Sequence, residues 1–165
     1  MNNSTQNKAI EDKVVDALID KGWQISFAES CTAGMAVATL VNVENASKVL
    51  CASVVTYANE AKIKYANVSQ DTLDQYGAVS QQVALQMAQG VAKNNNAQVG
   101  VGISGIAGPG GGTEEKPVGT VCFGFVIGDK EFATIEHFGD LGRQGVRKAS
   151  VDYVYSTLLE NLENM

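Results

Sequence analysis

Three consecutive side chains in FAESCTAG, residues 27–34, carry a hydroxyl or a thiol: Ser30, Cys31 and Thr32. An apolar run precedes them and small residues ending in Gly34 follow, the pattern of a strand giving way to a helix that starts near Cys31. A serine at such a junction has two uses. It caps the helix by accepting from a first-turn N–H, or it acts as a nucleophile with those same N–H groups as oxyanion donors. Ligands gather at the C-terminal ends of strands in open α/β sheets, which suits the second use. Cys31 competes, because a helix N-terminus depresses a thiol pKa. A catalytic cysteine normally has a histidine, however, and the single histidine, His137, sits in the strand-like run FATIEHF without an evident orienting partner.

A serine nucleophile without histidine needs another base. Lysine serves when desolvation or a neighbouring cation lowers its pKa. The candidate segment is VVTYANEAKIK: Tyr57 ends a strand and Lys62 lies early in the helix after it. Both share a sheet edge with Ser30 if the two strands run parallel. The plainer alternative is an aromatic at the core edge and a solvated lysine.

Two further stretches could hold a ligand. GISGIAGPGGGTEEKPVGTV, residues 102–121, is rich enough in glycine to bring backbone N–H groups close to an anion. It contains Gly105, Gly108 and Gly110, with Ser104, Thr113 and Lys116 as side-chain donors. No GxxxxGK[ST] is present, and a strand rather than a helix follows, so neither common phosphate motif applies. Arg143 and Arg147, four apart near a helix N-terminus, oppose the helix dipole. Asp140, Glu136 or a ligand phosphate would compensate them.

Composition limits the chemistry. Cys31, Cys51 and Cys122 are odd in number and contain no CxxC pair, which disfavours a disulfide framework or a zinc site. With one histidine and no clustered acids, no metal site is expected. A net charge of −6 argues against nucleic acid as a partner but not against one small phosphorylated ligand. No apolar run approaches the ~20 residues of a membrane span, and the first residues lack a secretory pattern. A cytoplasmic protein without membrane or nucleic-acid partners is expected.

The elements that must position these residues follow from periodicity. Residues 6–21 form an amphipathic helix ended by Gly22, and Trp23 to Ala28 a short strand. Residues 31–41 are apolar almost all round, as in a helix buried on several sides. The run 50–58 reads as an internal strand, followed by a short helix with Asn59 as its cap. Ser69 and Ser80 cap helices 70–76 and 81–94, separated by Gly77. Residues 97–105 form a strand. After the glycine-rich loop, two strands meet at Gly128-Asp129, a hairpin signal. Helix 142–163 closes the chain, with Val146, Ser150, Val154, Leu158 and Leu162 in one i, i+4 row. This order predicts a single layered α/β/α domain over residues 1–165, with a mixed, mainly parallel sheet and a C-terminal hairpin plus helix. Helix 31–41 and the hairpin pack either within one chain or across a homodimer or higher homo-oligomer.

AESCTAG, VVTYANEAKIK, YGAVSQQVALQMAQG, GISGIAGPGGGTEEKPVGTV and RQGVRKAS, in this order across residues 8–160, resemble the C-terminal domain of the CinA competence/damage-inducible family. The chain has no room for the molybdopterin-binding-like domain that precedes it in full-length CinA, so the resemblance implies the stand-alone form, a nicotinamide-nucleotide amidase. It implies hydrolysis of the carboxamide of nicotinamide mononucleotide to nicotinic acid mononucleotide and ammonia. No cofactor or metal is implied. The nucleophile falls on Ser30, assisted by Tyr57 and Lys62. Substrate contacts are expected from Glu29, Cys31, Thr32, Gly34, Ser104, Gly105, Gly108, Gly110, Thr113, Lys116, Arg143 and Arg147. Two departures stand out. The family's two glycines after ESCT are Ala33-Gly34 here, an exchange a helical first turn tolerates. Its Gly-Asp-Arg before the last helix reads Leu141-Gly142-Arg143, with Asp140 displaced upstream. These departures leave a catalytically inactive nucleotide-binding regulatory module as the alternative.

Overall fold

The computed structural model describes residues 8–165. The expected first residues of the opening helix, 6 and 7, lie outside that range. In chain order the elements are α1 (Ile10–Lys21), β1 (Ile25–Glu29), α2 (Met35–Val41), a 3₁₀ turn (Ala46–Lys48), β2 (Leu50–Val55), α3 (Asn59–Ala66), α4 (Gln70–Tyr76), α5 (Gln81–Asn94), β3 (Val99–Gly105), β4 (Thr120–Ile127), β5 (Lys130–His137) and α6 (Gly142–Glu163).

One five-stranded sheet has the order β2-β1-β3-β4-β5. The β2–β1 and β1–β3 pairings are parallel; β3–β4 and β4–β5 are antiparallel. Strands β1, β2 and β3 therefore end on the same side, and their C-terminal ends place Glu29, Val55 and Gly105 together. The two-residue turn Gly128-Asp129 joins the hairpin, with Ile127 opposite Lys130. One expectation fails: the run 50–58 is an edge strand, not an internal one, and it stops at Val55. All its residues but Val55 are half-buried, packed against α3, α5 and the 3₁₀ turn, which gives an edge the composition of a centre.

Helices α1, α2 and α6 cover one face. Val14, Val15 and Leu18 of α1 join the fully buried row of α6, Val146, Ser150, Val154, Leu158 and Leu162. Ser150 is tolerated in this row because its hydroxyl donates to Val146 O at 2.7 Å. Tyr155 ties α6 to α2 by donating to Ala36 O. Helix α2 is shorter than its apolar sequence suggests. Only Ala36 and Leu40 are buried, while Val41 is exposed.

On the other face, α5 approaches the sheet closely because glycines leave room. A Cβ on Gly102 or Gly124 would lie 2.2 or 2.0 Å from Ala84 O. Ser69 and Ser80 cap α4 and α5, accepting from Thr72 and Val83 N–H. Gly22 closes α1 in the left-handed region, as expected. Asn59 is not a cap. It is the first residue of α3, whose N-cap is Ala58.

Candidate active site

The segment 30–34 between β1 and α2 is a turn, and Gly34, at φ 95°, is the N-cap of α2. Ser30 therefore does not cap the helix. Its N–H donates to Ile103 O at 2.9 Å, which extends the sheet by one residue and fixes the Ser30 main chain. The capping is done by Glu29, the last residue of β1. Its buried carboxylate accepts from the N–H groups of Gly34 (3.1 Å), Ala36 (3.0 Å) and Val37 (2.9 Å). A carboxylate at a helix N-terminus meets both the free N–H groups and the positive end of the dipole. Glu29 is fully buried by this arrangement and does not line the cleft. The Ser30 hydroxyl is left free for another partner.

That partner is Lys62. Its Nζ lies 3.2 Å from Ser30 Oγ, 2.8 Å from Thr56 O and 3.3 Å from Tyr57 O. Lys62 sits on the buried face of α3 and is 1% exposed. The only ion pairs among the described residues, Lys8–Asp16 and Lys148–Asp152, lie elsewhere on the surface. Desolvation holds the Lys62 amine below the usual lysine value of 10.5. A neutral amine has two N–H donors and one lone pair. Lys62 Nζ donates to all three oxygens; loss of a proton, which desolvation favours, would free a lone pair toward the Ser30 hydroxyl. A desolvated amine within reach of a serine hydroxyl is the geometry that base-assisted attack by serine requires.

Cys31 does not compete. It is buried, and desolvation pushes its thiol up to about 11, so at neutral pH it is not a thiolate. Its backbone N–H has no oxygen acceptor among the described residues. His137 is exposed at the end of β5, beside Thr120 Oγ1 at 3.2 Å, and stands outside the cleft.

The cleft in front of Ser30 holds about 210 Å³. Its walls come from Ser30, Cys31, Tyr57, Asn59, Lys62, Ala78, Val79, Ser104, Gly105, Ala107 and Arg143. A larger hollow of about 450 Å³, around Trp23, Gln98, Gly128 and Met165, lies at the opposite end of the strands. It contains no comparable nucleophile and base, so size does not locate the chemistry. Asn59, Ala78, Val79 and Ala107 were not expected in the cleft. Asn59 was legible as a polar residue in YANEAKIK but read as a cap; the other three carry no polar signal.

Several expected contacts are placed differently. Tyr57 is 58% exposed, and its hydroxyl accepts from Arg143 Nη2 at 2.9 Å. Its link to Lys62 is through its main-chain carbonyl, not its hydroxyl. Arg143 also donates from Nη1 to Gly108 O at 2.7 Å, so it ties the glycine-rich loop to Tyr57. Arg147 does not line the cleft. It donates from Nε to Cys31 O (2.9 Å) and from Nη2 to Thr32 O (3.0 Å). Backbone carbonyls, not Asp140 or Glu136, compensate the two arginines. Thr32 is fully buried behind the cleft wall. Gly34 serves α2. Ser104 lines the cleft but donates to Ala78 O at 2.7 Å. Thr113 and Lys116 bond each other, and Lys116 Nζ donates to Tyr76 O at 2.8 Å, which fastens the loop to the end of α4. Gly110 is exposed and Gly105 borders the cleft.

Ala33 corrects the expectation for the first departure. It is not helical: its φ is 47°. An L-residue in the left-handed region costs roughly 1–2 kcal/mol. The methyl is tolerated sterically, since Ala33 is exposed, but not without strain.

A layered α/β domain that presents a serine beside a buried lysine at its strand ends is the class this geometry defines. The chain belongs to the CinA C-terminal domain family, whose model matches residues 7–162. It is 47% identical over 136 residues to a CinA-like protein of Dictyoglomus turgidum, covering 82% of this chain and 33% of that one. A Clostridium perfringens relative named for competence-damage induction is 44% identical over 157 residues, covering 94% of this chain. The chain spans 38% of that relative's length. Among solved structures, the Agrobacterium tumefaciens competence/damage inducible protein CihA superposes with a TM-score of 0.86 at 35% identity, covering 96% of this chain and 99% of the other. A CinA superfamily protein from Escherichia coli gives 0.85 at 32% identity, covering 96% and 98%. Among the described residues, no helix is long and apolar enough to cross a membrane.

Proposed function

We propose that this chain is a nicotinamide-nucleotide amidase that uses Ser30 as nucleophile and Lys62 as general base. The observation that carries the reading is the buried Lys62 amine, 3.2 Å from Ser30 Oγ and held by two carbonyls in place of a carboxylate. A buried lysine without a counter-charge destabilises a fold unless it is neutral. A neutral lysine against a serine has a ready use in acyl transfer.

In the proposed reaction, Ser30 Oγ attacks the carboxamide carbon of nicotinamide mononucleotide while its proton passes to Lys62 Nζ. The pyridinium cation of the substrate withdraws electrons and activates that carbon. The Cys31 N–H, next after the nucleophile, donates to the developing oxyanion, a position known to supply such a donor at serine turns. The Lys62 ammonium then gives its proton to the departing nitrogen, and ammonia leaves a nicotinoyl ester on Ser30. Water, deprotonated by neutral Lys62, cleaves the ester; the proton returns to Ser30 Oγ and nicotinic acid mononucleotide departs.

The cleft supports recognition of the rest of the substrate. The exposed Tyr57 ring offers a face to the pyridinium cation. Arg143 is the cation in the cleft wall free of a carboxylate, and it suits the ribose phosphate. Gly105, at the cleft border, lets the nucleotide approach the main chain closely.

Ammonia release from nicotinamide mononucleotide, measured with EDTA present, tests the reading. The wild-type chain should turn over and Ser30→Ala should not, with both proteins giving the same circular dichroism. Substrate binding without ammonia release would instead make the chain a regulatory binding module.

A further inference from the structure

The turn that presents Ser30 has few bonds of its own. Ala33 N–H donates to Ser30 O at 3.1 Å and Met35 N–H to Thr32 O at 3.0 Å, and the turn includes the strained φ of Ala33. Two charged side chains from other elements hold it instead. On one flank the Glu29 carboxylate takes three N–H groups from residues 34–37. On the other, the Arg147 guanidinium takes the carbonyls of Cys31 and Thr32. Between them stand Ser30 Oγ and the Cys31 N–H, the two groups the reaction needs.

We propose that Arg147 is a positioning residue that fixes the nucleophile turn from behind, and not a ligand for the substrate phosphate. This rests on the amidase reading for its kinetic consequences. Two N–H donors in one rigid plane, meeting successive carbonyls, set the orientation of both peptide planes at once. The Cys31 carbonyl and the Thr32 nitrogen share one trans peptide. Fixing that plane fixes ψ of Cys31 and so the path of the chain leaving the nucleophile. Arg147 reaches this point from the second turn of α6, a long helix anchored by its buried row, so the turn is referenced to the core. The Arg147 guanidinium is half-buried and is outside the cleft wall, whereas Arg143, one turn earlier, is inside it. The two arginines thus divide the work: Arg143 ties the glycine-rich loop to Tyr57 in the cleft wall, and Arg147 ties the nucleophile turn to α6.

The test compares Arg147→Ala, Arg147→Lys and Arg143→Lys for ammonia release. Loss of positioning should lower kcat by about 100-fold, the scale of a small misplacement at a reacting atom, with KM little changed. Arg147→Lys keeps the charge but not the planar fork, and should not restore kcat. Added guanidinium ion should partly rescue Arg147→Ala. Arg143→Lys should mainly raise KM. A raised KM with kcat preserved in either Arg147 variant, or wild-type kcat in Arg147→Lys, would overturn the proposal. If Arg147→Ala does not fold, Arg147→Lys alone decides by the same criteria. Should the wild-type chain release no ammonia, the amidase reading fails, and the positioning role is read from covalent labelling. An alkyl fluorophosphonate forms a Ser30 Oγ–P bond with loss of fluoride, followed by intact mass. Slower labelling in the Arg147 variants upholds positioning; equal rates, or no Ser30 labelling in any protein, refute it.

Discussion

Ser30 lies between two fully buried ionisable residues that the fold treats in opposite ways. On the β1–α2 side, Glu29 is answered by three N–H groups at a helix N-terminus, a set of donors matched to a negative charge. On the α3 side, Lys62 meets two carbonyls and a hydroxyl, with no acid. The first environment stabilises an ion; the second offers acceptors but no counter-charge, so desolvation shifts the amine toward its neutral form. The same depth of burial therefore gives a fixed anchor in one place and an amine without a counter-charge in the other. Burial alone does not mark a reactive group; the partners do.

Variants can break this contrast from either side. The largest effect is expected at Lys62. Lys62→Met should lower kcat by roughly 10²–10⁴-fold, the usual contribution of a general base. It should also raise the melting temperature. The sign follows from linkage. The folded-state pKa of Lys62 lies below its unfolded value of 10.5. The unfolded chain therefore binds more protons between those two values, and stability rises with pH across that window. Within that window and below it the buried amine costs stability, and methionine removes the cost. A thermal melt at pH 7 alongside the kinetic assay checks both; unchanged kcat would remove Lys62 as base. Wild-type activity should likewise rise with pH through the lowered Lys62 pKa.

Glu29→Gln should show the opposite pattern, with loss of stability as well as activity. An amide offers one acceptor oxygen and turns an NH₂ toward N–H groups, so at least one donor is left unsatisfied. A loss of about 2–3 kcal/mol is expected by urea denaturation. A variant as stable as wild type would show that the three N–H bonds do not hold the turn.

Tyr57→Phe sharpens the contrast at smaller cost. The Tyr57 hydroxyl is on Arg143 and touches neither Ser30 nor Lys62, so kcat should fall less than about 10-fold. A drop in the 10²–10⁴ range of proton-transfer residues would restore the hydroxyl as a relay. The smallest effect is expected for Ala33→Gly. Glycine removes left-handed strain of roughly 1–2 kcal/mol but returns about 0.4–1 kcal/mol of unfolded-state entropy. A net gain of about 0.5–1 kcal/mol in a melt, with activity kept, is expected.

The α/β class, the hairpin at Gly128-Asp129 and the caps at Ser69 and Ser80 were legible because each has a local signal. So was the neighbourhood of Ser30 and Lys62, once parallel strands were assumed. What misled was residue type without environment. The apolar, β-branched run LCASVV made β2 look internal, because most side chains of this edge strand are half-buried too. Serine before an apolar run looked like a cap, while the first N–H groups of α2 are taken by the Glu29 carboxylate, which precedes the serine and reaches forward from the strand end. The arginines and Lys116 read as phosphate ligands, yet Arg147 and Lys116 satisfy carbonyls far away in sequence. No local pattern encodes which carbonyls a fold leaves without partners. Ala33 looked harmless only because the turn was taken for helix.

The central claim is that burial leaves Lys62 a neutral base against Ser30. Direct titration of the Lys62 amine by NMR, with lysine carbons labelled and Lys62→Met used for assignment, tests it without a substrate. The account predicts a Lys62 pKa below 10.5 that coincides with the rising limb of the pH–rate profile. A Lys62 that titrates at or above 10.5 would contradict it.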